Sequence, residues 1–150
     1  MNIKITGMGS YIPSQVEANE KFYQHDFLNA DGSVINNPTE VIVKKFKAIT
    51  GIEERRYIKN ELNNSDIAAL AAQKAIIKAN INSEDLDYII VAHNYGDIAH
   101  GTVQSDTVPS IASRVKHLLK IKNPRCVAYD ILFGCPGWVE GIIQAQAFIK

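Results

Sequence analysis

Apolar and polar positions along this chain switch between a period of two and a period near 3.6. Residues 3–9 read Ile-Lys-Ile-Thr-Gly-Met-Gly, an alternation that breaks at glycines and predicts a strand running into a turn. Residues 16–28 carry a weak helical pattern. The turn signals Asp31-Gly32-Ser33 and Asn36-Asn37-Pro38 flank a polar loop. Thr39 is a candidate cap for a helix over 39–49, in which Ile42, Phe46 and Ile49 fall at i, i+4 and i+7, and Gly51 ends it. The strongest helical pattern spans 65–80. Ser65 is the expected cap, Asp66 suits the positive end, and the alanine-rich body predicts close packing between a sheet and another helix. A turn at Ser83-Glu84-Asp85 leads to the continuous apolar run 88–92, the signature of a strand buried on both faces. Pro109 is expected in the first turn of a helix reaching Lys120. A further strand is predicted over 126–133 and a last helix over 137–150. The βαβαβα order implies a layered α/β domain with a mostly parallel sheet between helices.

Composition narrows the class. Of 150 residues, 46% are hydrophobic and 21% charged, too apolar and too balanced for a disordered chain. Lys+Arg and Asp+Glu are both 16, so the formal net charge is zero. Nucleic-acid or anionic-membrane binding relies on a basic excess, and neither partner is expected. The longest apolar run, 67–72, is far short of the roughly 20 residues that cross a bilayer. Residues 1–10 hold no apolar stretch suited to a signal peptide. Two cysteines, Cys126 and Cys135, make neither a disulfide framework nor a zinc site. A cytoplasmic protein without metal is the expectation.

The segment that carries chemistry is Asp130-Ile-Leu-Phe-Gly-Cys135-Pro-Gly-Trp138. A strand ends, a tight turn bears a thiol, and a helix begins directly afterwards. Amides and dipole at a helix start favour an anion, so a thiol there is expected to favour its thiolate form. Gly134 and Gly137 remove side chains near the sulfur and admit a substrate carbonyl, and free N–H groups of the turn are candidates for an oxyanion site. This is the arrangement of a nucleophile that becomes acylated. Cys126, inside an apolar strand, reads as packing.

With these residues in view, the chain resembles the β-ketoacyl-acyl carrier protein synthase III group of the thiolase-like superfamily. The resemblance rests on Ile5-Thr-Gly-Met-Gly-Ser-Tyr-Ile-Pro13, Thr50-Gly-Ile-Glu-Glu-Arg-Arg56, the helix opening at Ser65-Asp66, the strand Asp87-Tyr-Ile-Ile-Val-Ala, Val108-Pro-Ser110 and the turn at Cys135. It implies a parent of two similar halves. Residues 1–150 are then its N-terminal thiolase-like domain with the nucleophile, the C-terminal half being absent from this chain. It also implies that Cys135 takes an acyl group from a thioester and condenses it with a malonyl thioester by decarboxylative Claisen chemistry. A histidine and an asparagine of the other half would polarise the carbonyl. His25, His93, His100, His117 and Asn94 match no catalytic motif, and the four histidines are expected on the surface or in loops.

The resemblance further implies acyl-CoA or acyl carrier protein thioesters as substrates, no resident cofactor, acyl carrier protein as partner and a homodimeric full-length enzyme. Where many members carry the tryptophan and arginine that hold coenzyme A, this chain has Lys45 and Ile49. Lys45, with Lys44 and Lys47, is either a phosphate contact or a solvated helix face. Arg55 and Arg56 match the family's basic pair, and either fork onto an anion or pair with Glu53 and Glu54. Val108 holds the place that sets acyl-chain length across the dimer in the family. The stretch 93–106 is longer than the usual loop, and Asp97 or Asp106 are candidates for a carboxylate brought near the partner's cysteine. The alternative class is a non-catalytic module that only binds a partner subunit or carrier protein. A cysteine hydrolase is a third reading, lacking a histidine nominated by spacing.

Overall fold

A computed structural model describes residues 3–149, which form two compact units, 12–59 and 3–11 with 60–149. In the smaller unit β1 (Gln15–Ala18) pairs antiparallel with β2 (Glu54–Tyr57), in a register running from Gln15 opposite Tyr57 to Ala18 opposite Glu54. The helix expected over 16–28 is therefore replaced by this strand and a 3-10 turn, Asn19–Gln24. Its pattern was weak, and the β2 ladder, extended by the Asn19 N–H on the Glu53 carbonyl (3.0 Å), satisfies the backbone instead. Between the strands lies α1 (Thr39–Thr50). Thr39 is its first residue and not its cap, because the Pro38 carbonyl already accepts from Val41 and Ile42. Gly51 ends it at φ 69°, a left-handed conformation that glycine adopts without strain. Val43 is buried, and Phe46 meets Phe22 and Phe27 edge-on. The buried stripe runs through 43 and 46 and leaves Ile49 exposed.

The larger unit is built on two parallel strands, β3 (Tyr88–His93) and β4 (Val127–Leu132), with Tyr88 opposite Val127 and His93 opposite Leu132. α2 (Asn64–Ala79) precedes β3, α3 (Ile111–Leu118) connects the strands, and α4 (Gly137–Phe148) follows β4. Alternation along β3 sends Ile89 and Val91 to one face, where they pack on Ala69 of α2 and on Ile111 and Val115 of α3. Tyr88 and Ala92 point to the other face. There Tyr88 stacks on Phe148 (4.5 Å), and a Cβ built on Gly137 would lie 3.1 Å from that of Ala92. Helices thus cover both faces of a parallel pair, as the βαβα order requires, and the expected α/β class holds.

Three local expectations change. The strand expected over 3–9 is irregular backbone lying along α2: a Cβ on Gly7 would overlap the Ala75 carbonyl oxygen and one on Gly9 that of Ala71. The small side chains of α2 accept backbone contact there, and Lys74 ties the segment through the Ser10 carbonyl (2.9 Å). α2 is capped by Asn63 and not Ser65. Asn63 and Asp66 form a capping box, Asp66 accepting from the Asn63 N–H at 2.8 Å. Pro109 lies outside α3, whose cap is Ser110, accepting from the Ser113 N–H at 3.1 Å.

Candidate active site

Cys135 is exposed in the turn that joins β4 to α4, immediately before Pro136 at the helix cap. The Gly137 N–H donates to the Gly134 carbonyl (2.8 Å), and the Pro136 carbonyl accepts from Val139 and Glu140. The Gly137 amide is therefore spent within the turn and is no oxyanion donor. The two glycines do different work. Gly134 faces open space, so the chain beside the sulfur is clear. Gly137 is buried, its hypothetical Cβ 3.1 Å from Ala92 and 3.3 Å from Phe133, so its missing side chain lets the start of α4 close onto β3. Around the turn Leu132, Phe133, Trp138 and Val139 expose apolar surface, Trp138 to 69%. Cys126, by contrast, is buried and its thiol is pushed up by desolvation, in keeping with a packing role.

Behind this turn lies a buried polar network. His93 ends β3 with a side chain only 4% exposed, so the expectation of a surface or loop histidine is corrected. The Gly96 N–H donates to His93 Nδ1 (2.9 Å), which places the ring proton on Nε2, and Nε2 donates to Asp130 Oδ2 (2.9 Å). Asp130 also accepts from the Ile111 N–H (2.6 Å) and the Ala112 N–H (2.7 Å), so one carboxylate holds the start of α3 and the end of β3 together. His25, His100 and His117 are exposed, as is Asn94. A second buried carboxylate, Asp97, accepts from the Ser65 N–H (2.8 Å) and Oγ (2.7 Å) and from Arg114 (3.1 Å). Ser65 is thus a partner for Asp97 and not a helix cap. Arg114 also pairs with the exposed Asp106 at 2.8 Å, which holds that carboxyl below its ordinary value. Both acids of the long loop are committed within their own chain.

The remaining candidate residues are dispersed. Arg55 is half-buried, donating to Asn19 Oδ1 (2.7 Å) and lying 5.3 Å over the Phe22 ring. Arg56 is exposed and paired with Glu54 at 2.5 Å. Glu53 pairs with Lys47. Lys45 is exposed on α1, and Val108 is 83% exposed. Among the described residues no group of histidine, cysteine and acidic side chains could hold a metal ion, and no helix is long and apolar enough to cross a membrane. The signal for the missed network was present in the sequence. Asp130 interrupts an apolar strand, and a carboxylate there needs donors from its neighbours.

The architecture places the chain among thiolase-like proteins. It superposes on 3-oxoacyl-[acyl-carrier-protein] synthase III from Aquifex aeolicus with a TM-score of 0.72 at 30% identity, covering 99% of this chain and 40% of that one. The synthase III of Thermus thermophilus gives 0.69 at 26%, covering 98% and 38%. Xanthomonas campestris OleA shares the fold, with a TM-score of 0.73 at 20% identity. No family model matches the chain. Among curated relatives, β-ketoacyl-[acyl-carrier-protein] synthase III 1 of Vibrio parahaemolyticus is 36% identical over 150 residues, and the synthase III of Clostridium beijerinckii is 34% identical over 149. All of this chain matches 40% of the first, and 99% of it matches 38% of the second, so the chain spans about two fifths of the length of these relatives. It is a relative of β-ketoacyl-acyl carrier protein synthase III, similar to the N-terminal part of that enzyme.

Proposed function

We propose that this chain is the N-terminal, nucleophile-bearing domain of a β-ketoacyl-acyl carrier protein synthase III, an acyltransferase of fatty acid or related lipid biosynthesis. The observation that carries the reading is the exposed Cys135 on the β4–α4 turn, in a chain similar along its whole length to synthases of that name. In the first half-reaction the Cys135 thiol loses its proton and Sγ attacks the carbonyl carbon of an acyl thioester. The bond from that carbon to the carrier sulfur breaks, and the carrier leaves as a thiol after taking up a proton. In the second, a malonyl thioester loses carbon dioxide and its C2 attacks the acyl carbonyl. The bond to Sγ breaks, leaving a 3-oxoacyl thioester and free Cys135. The open space at Gly134 and the apolar side chains of Phe133, Trp138 and Val139 suit an acyl chain and its thioester.

We assign the histidine and asparagine of the condensation step to the part of the enzyme this chain does not match; His93, the histidine beside the turn, has both ring nitrogens engaged. That commitment also weighs against a cysteine hydrolase. Lys45 and Arg56, exposed and cationic, are the residues we assign to phosphate of coenzyme A or of the carrier's prosthetic arm. Arg55 supports them from its site on Asn19 and Phe22. Val108 is assigned to acyl-chain selection. Acyl carrier protein as partner, a homodimeric full-length enzyme, a cytoplasmic location and no resident cofactor complete the proposal.

The test is intact-mass analysis after incubation with short- and long-chain acyl-CoA and the matching N-acetylcysteamine thioesters. The expected result is one thioester adduct, lost in Cys135→Ala. No adduct from any donor, or one that survives the substitution, overturns the reading and leaves a non-catalytic partner module.

A further inference from the structure

His93 closes β3 opposite Leu132, three residues before Cys135, and its carbonyl accepts the Phe133 N–H at 3.2 Å, the ladder bond nearest the turn. Its ring is neutral, since Nδ1 accepts a backbone N–H, and it bridges two things. Nε2–H points at Asp130, which fixes β4 to the first amides of α3, and Nδ1 holds Gly96 at the start of the loop to Pro109. The C-terminal ends of parallel strands are where α/β sheets place their chemistry, and this ring is buried at that level.

We propose that His93 is a positioning residue for Cys135, acting through the hydrogen bond from Nε2 to Asp130. The proposal rests on the acylation reading only for its substrate. A buried imidazole with both nitrogens committed is no proton acceptor for the thiol. What it supplies is a fixed distance between the ends of β3 and β4. Without it the carboxylate still holds α3 but no longer holds β3, and the strand end that carries the Phe133–Cys135 turn keeps only its backbone ladder to β3. Simple space-filling would make no distinction between the two ring nitrogens. The bridge does.

That asymmetry sets the experiment. The amide nitrogen of glutamine reaches the place of Nε2, whereas the carbonyl of asparagine reaches the place of Nδ1. His93→Gln therefore keeps the tie to Asp130, His93→Asn keeps only the tie to Gly96, and His93→Ala keeps neither. Acylation of Cys135 by octanoyl-N-acetylcysteamine is followed by intact mass over a range of thioester concentrations, with iodoacetamide labelling of Cys135 in parallel. Since a displacement of about 1 Å costs about a hundredfold in rate, a smaller shift of the turn predicts a maximal acylation rate about tenfold lower in His93→Asn and His93→Ala. The half-saturating concentration should be unchanged, and His93→Gln should stay within about threefold of the unsubstituted chain. Equal rates in His93→Gln and His93→Asn overturn the proposal. Should His93→Ala fail to fold by circular dichroism, the glutamine and asparagine pair decides alone. Should the unsubstituted chain form no adduct, the acylation reading falls by itself. The iodoacetamide rates then decide the positioning role, the same order supporting it and equal rates overturning it.

Discussion

Asp130→Ala tests the network behind Cys135 most directly, because three donors end on this one side chain. His93 Nε2 and the Ile111 N–H share Oδ2, while the Ala112 N–H takes Oδ1. Ile111 and Ala112 are fully buried and the carboxylate is 7% exposed, so no donor finds bulk water when the acceptor goes. Stranding a buried donor costs about 1–3 kcal/mol, and losing an anion at a helix start costs about 0.3–1 kcal/mol. At the lower end of these ranges the loss for three donors and one helix-start anion is about 3 kcal/mol. A domain of this kind holds about 5–15 kcal/mol in all. Asp130→Asn has the same shape but one acceptor. Its best orientation puts the oxygen at the Oδ2 site, keeps His93 and Ile111, and turns an NH2 toward the Ala112 N–H, a loss of about 2 kcal/mol. Urea unfolding followed by circular dichroism measures both, provided the slope with denaturant is unchanged. A cost below about 1 kcal/mol for Asp130→Ala, or equal costs for the two variants, would refute the reasoning.

Gly9→Ala forces a methyl group onto the Ala71 carbonyl and the Ala75 amide of α2, so the segment before Tyr11 must lift from the helix. The expected loss is about 1–3 kcal/mol in the same unfolding assay, and a neutral result would show that the segment does not lie on α2. Asp106 titrates below its ordinary value of about 3.9 because Arg114 hydrogen-bonds its carboxylate. A lowered folded value means a contribution present above the unfolded value and lost as pH falls through the folded one. A carbon-13 titration should show the Asp106 midpoint below about 3.9 in the unsubstituted chain and restored in Arg114→Ala, and an unshifted midpoint would refute the pairing.

What the chain reveals in advance follows from which forces act locally. α2 and α4 could be read because runs of alanine and isoleucine repeat at helical spacing, and β3 and β4 because short apolar runs are bounded by turn signals. Nothing local marks Gln15–Ala18 as a strand. Its sequence is weakly helical, and only the partner Glu54–Tyr57, brought round by α1, makes it extended. The reverse holds for residues 3–9, whose alternation is strand-like but whose glycines rest on a helix. Caps slipped by two residues at α2 because Asn63, Asn64 and Ser65 are all competent, and only the demand of Asp97 for Ser65 decides between them. The strand–turn–helix around Cys135 was legible from the glycines and proline that shape it. His93 was not, since a histidine is equally at home on a surface, and its burial depends on a carboxylate 37 residues away.

The two faces of β4 explain why the polar network and the thiol belong to one device. Asp130 and Leu132 point to the α3 side, while Ile131 and Phe133 point to the α4 side, where Gly137 lets the helix close on Ala92. Between the last strand residue and the first helical one lie only Phe133, Gly134, Cys135 and Pro136, so the chain must reverse onto the far face within four residues. A turn so short has little slack, and its position is inherited from whatever fixes its two ends. One end is fixed by the packing of Gly137. The other is fixed by Phe133 on the His93 carbonyl and, one step behind, by the His93–Asp130 bond to α3. The nucleophile proposed at Cys135 needs its sulfur free to react and its backbone unable to drift. Here the first requirement is met on the open side by Gly134, and the second on the buried side by charge and hydrogen bonding that never touch the sulfur.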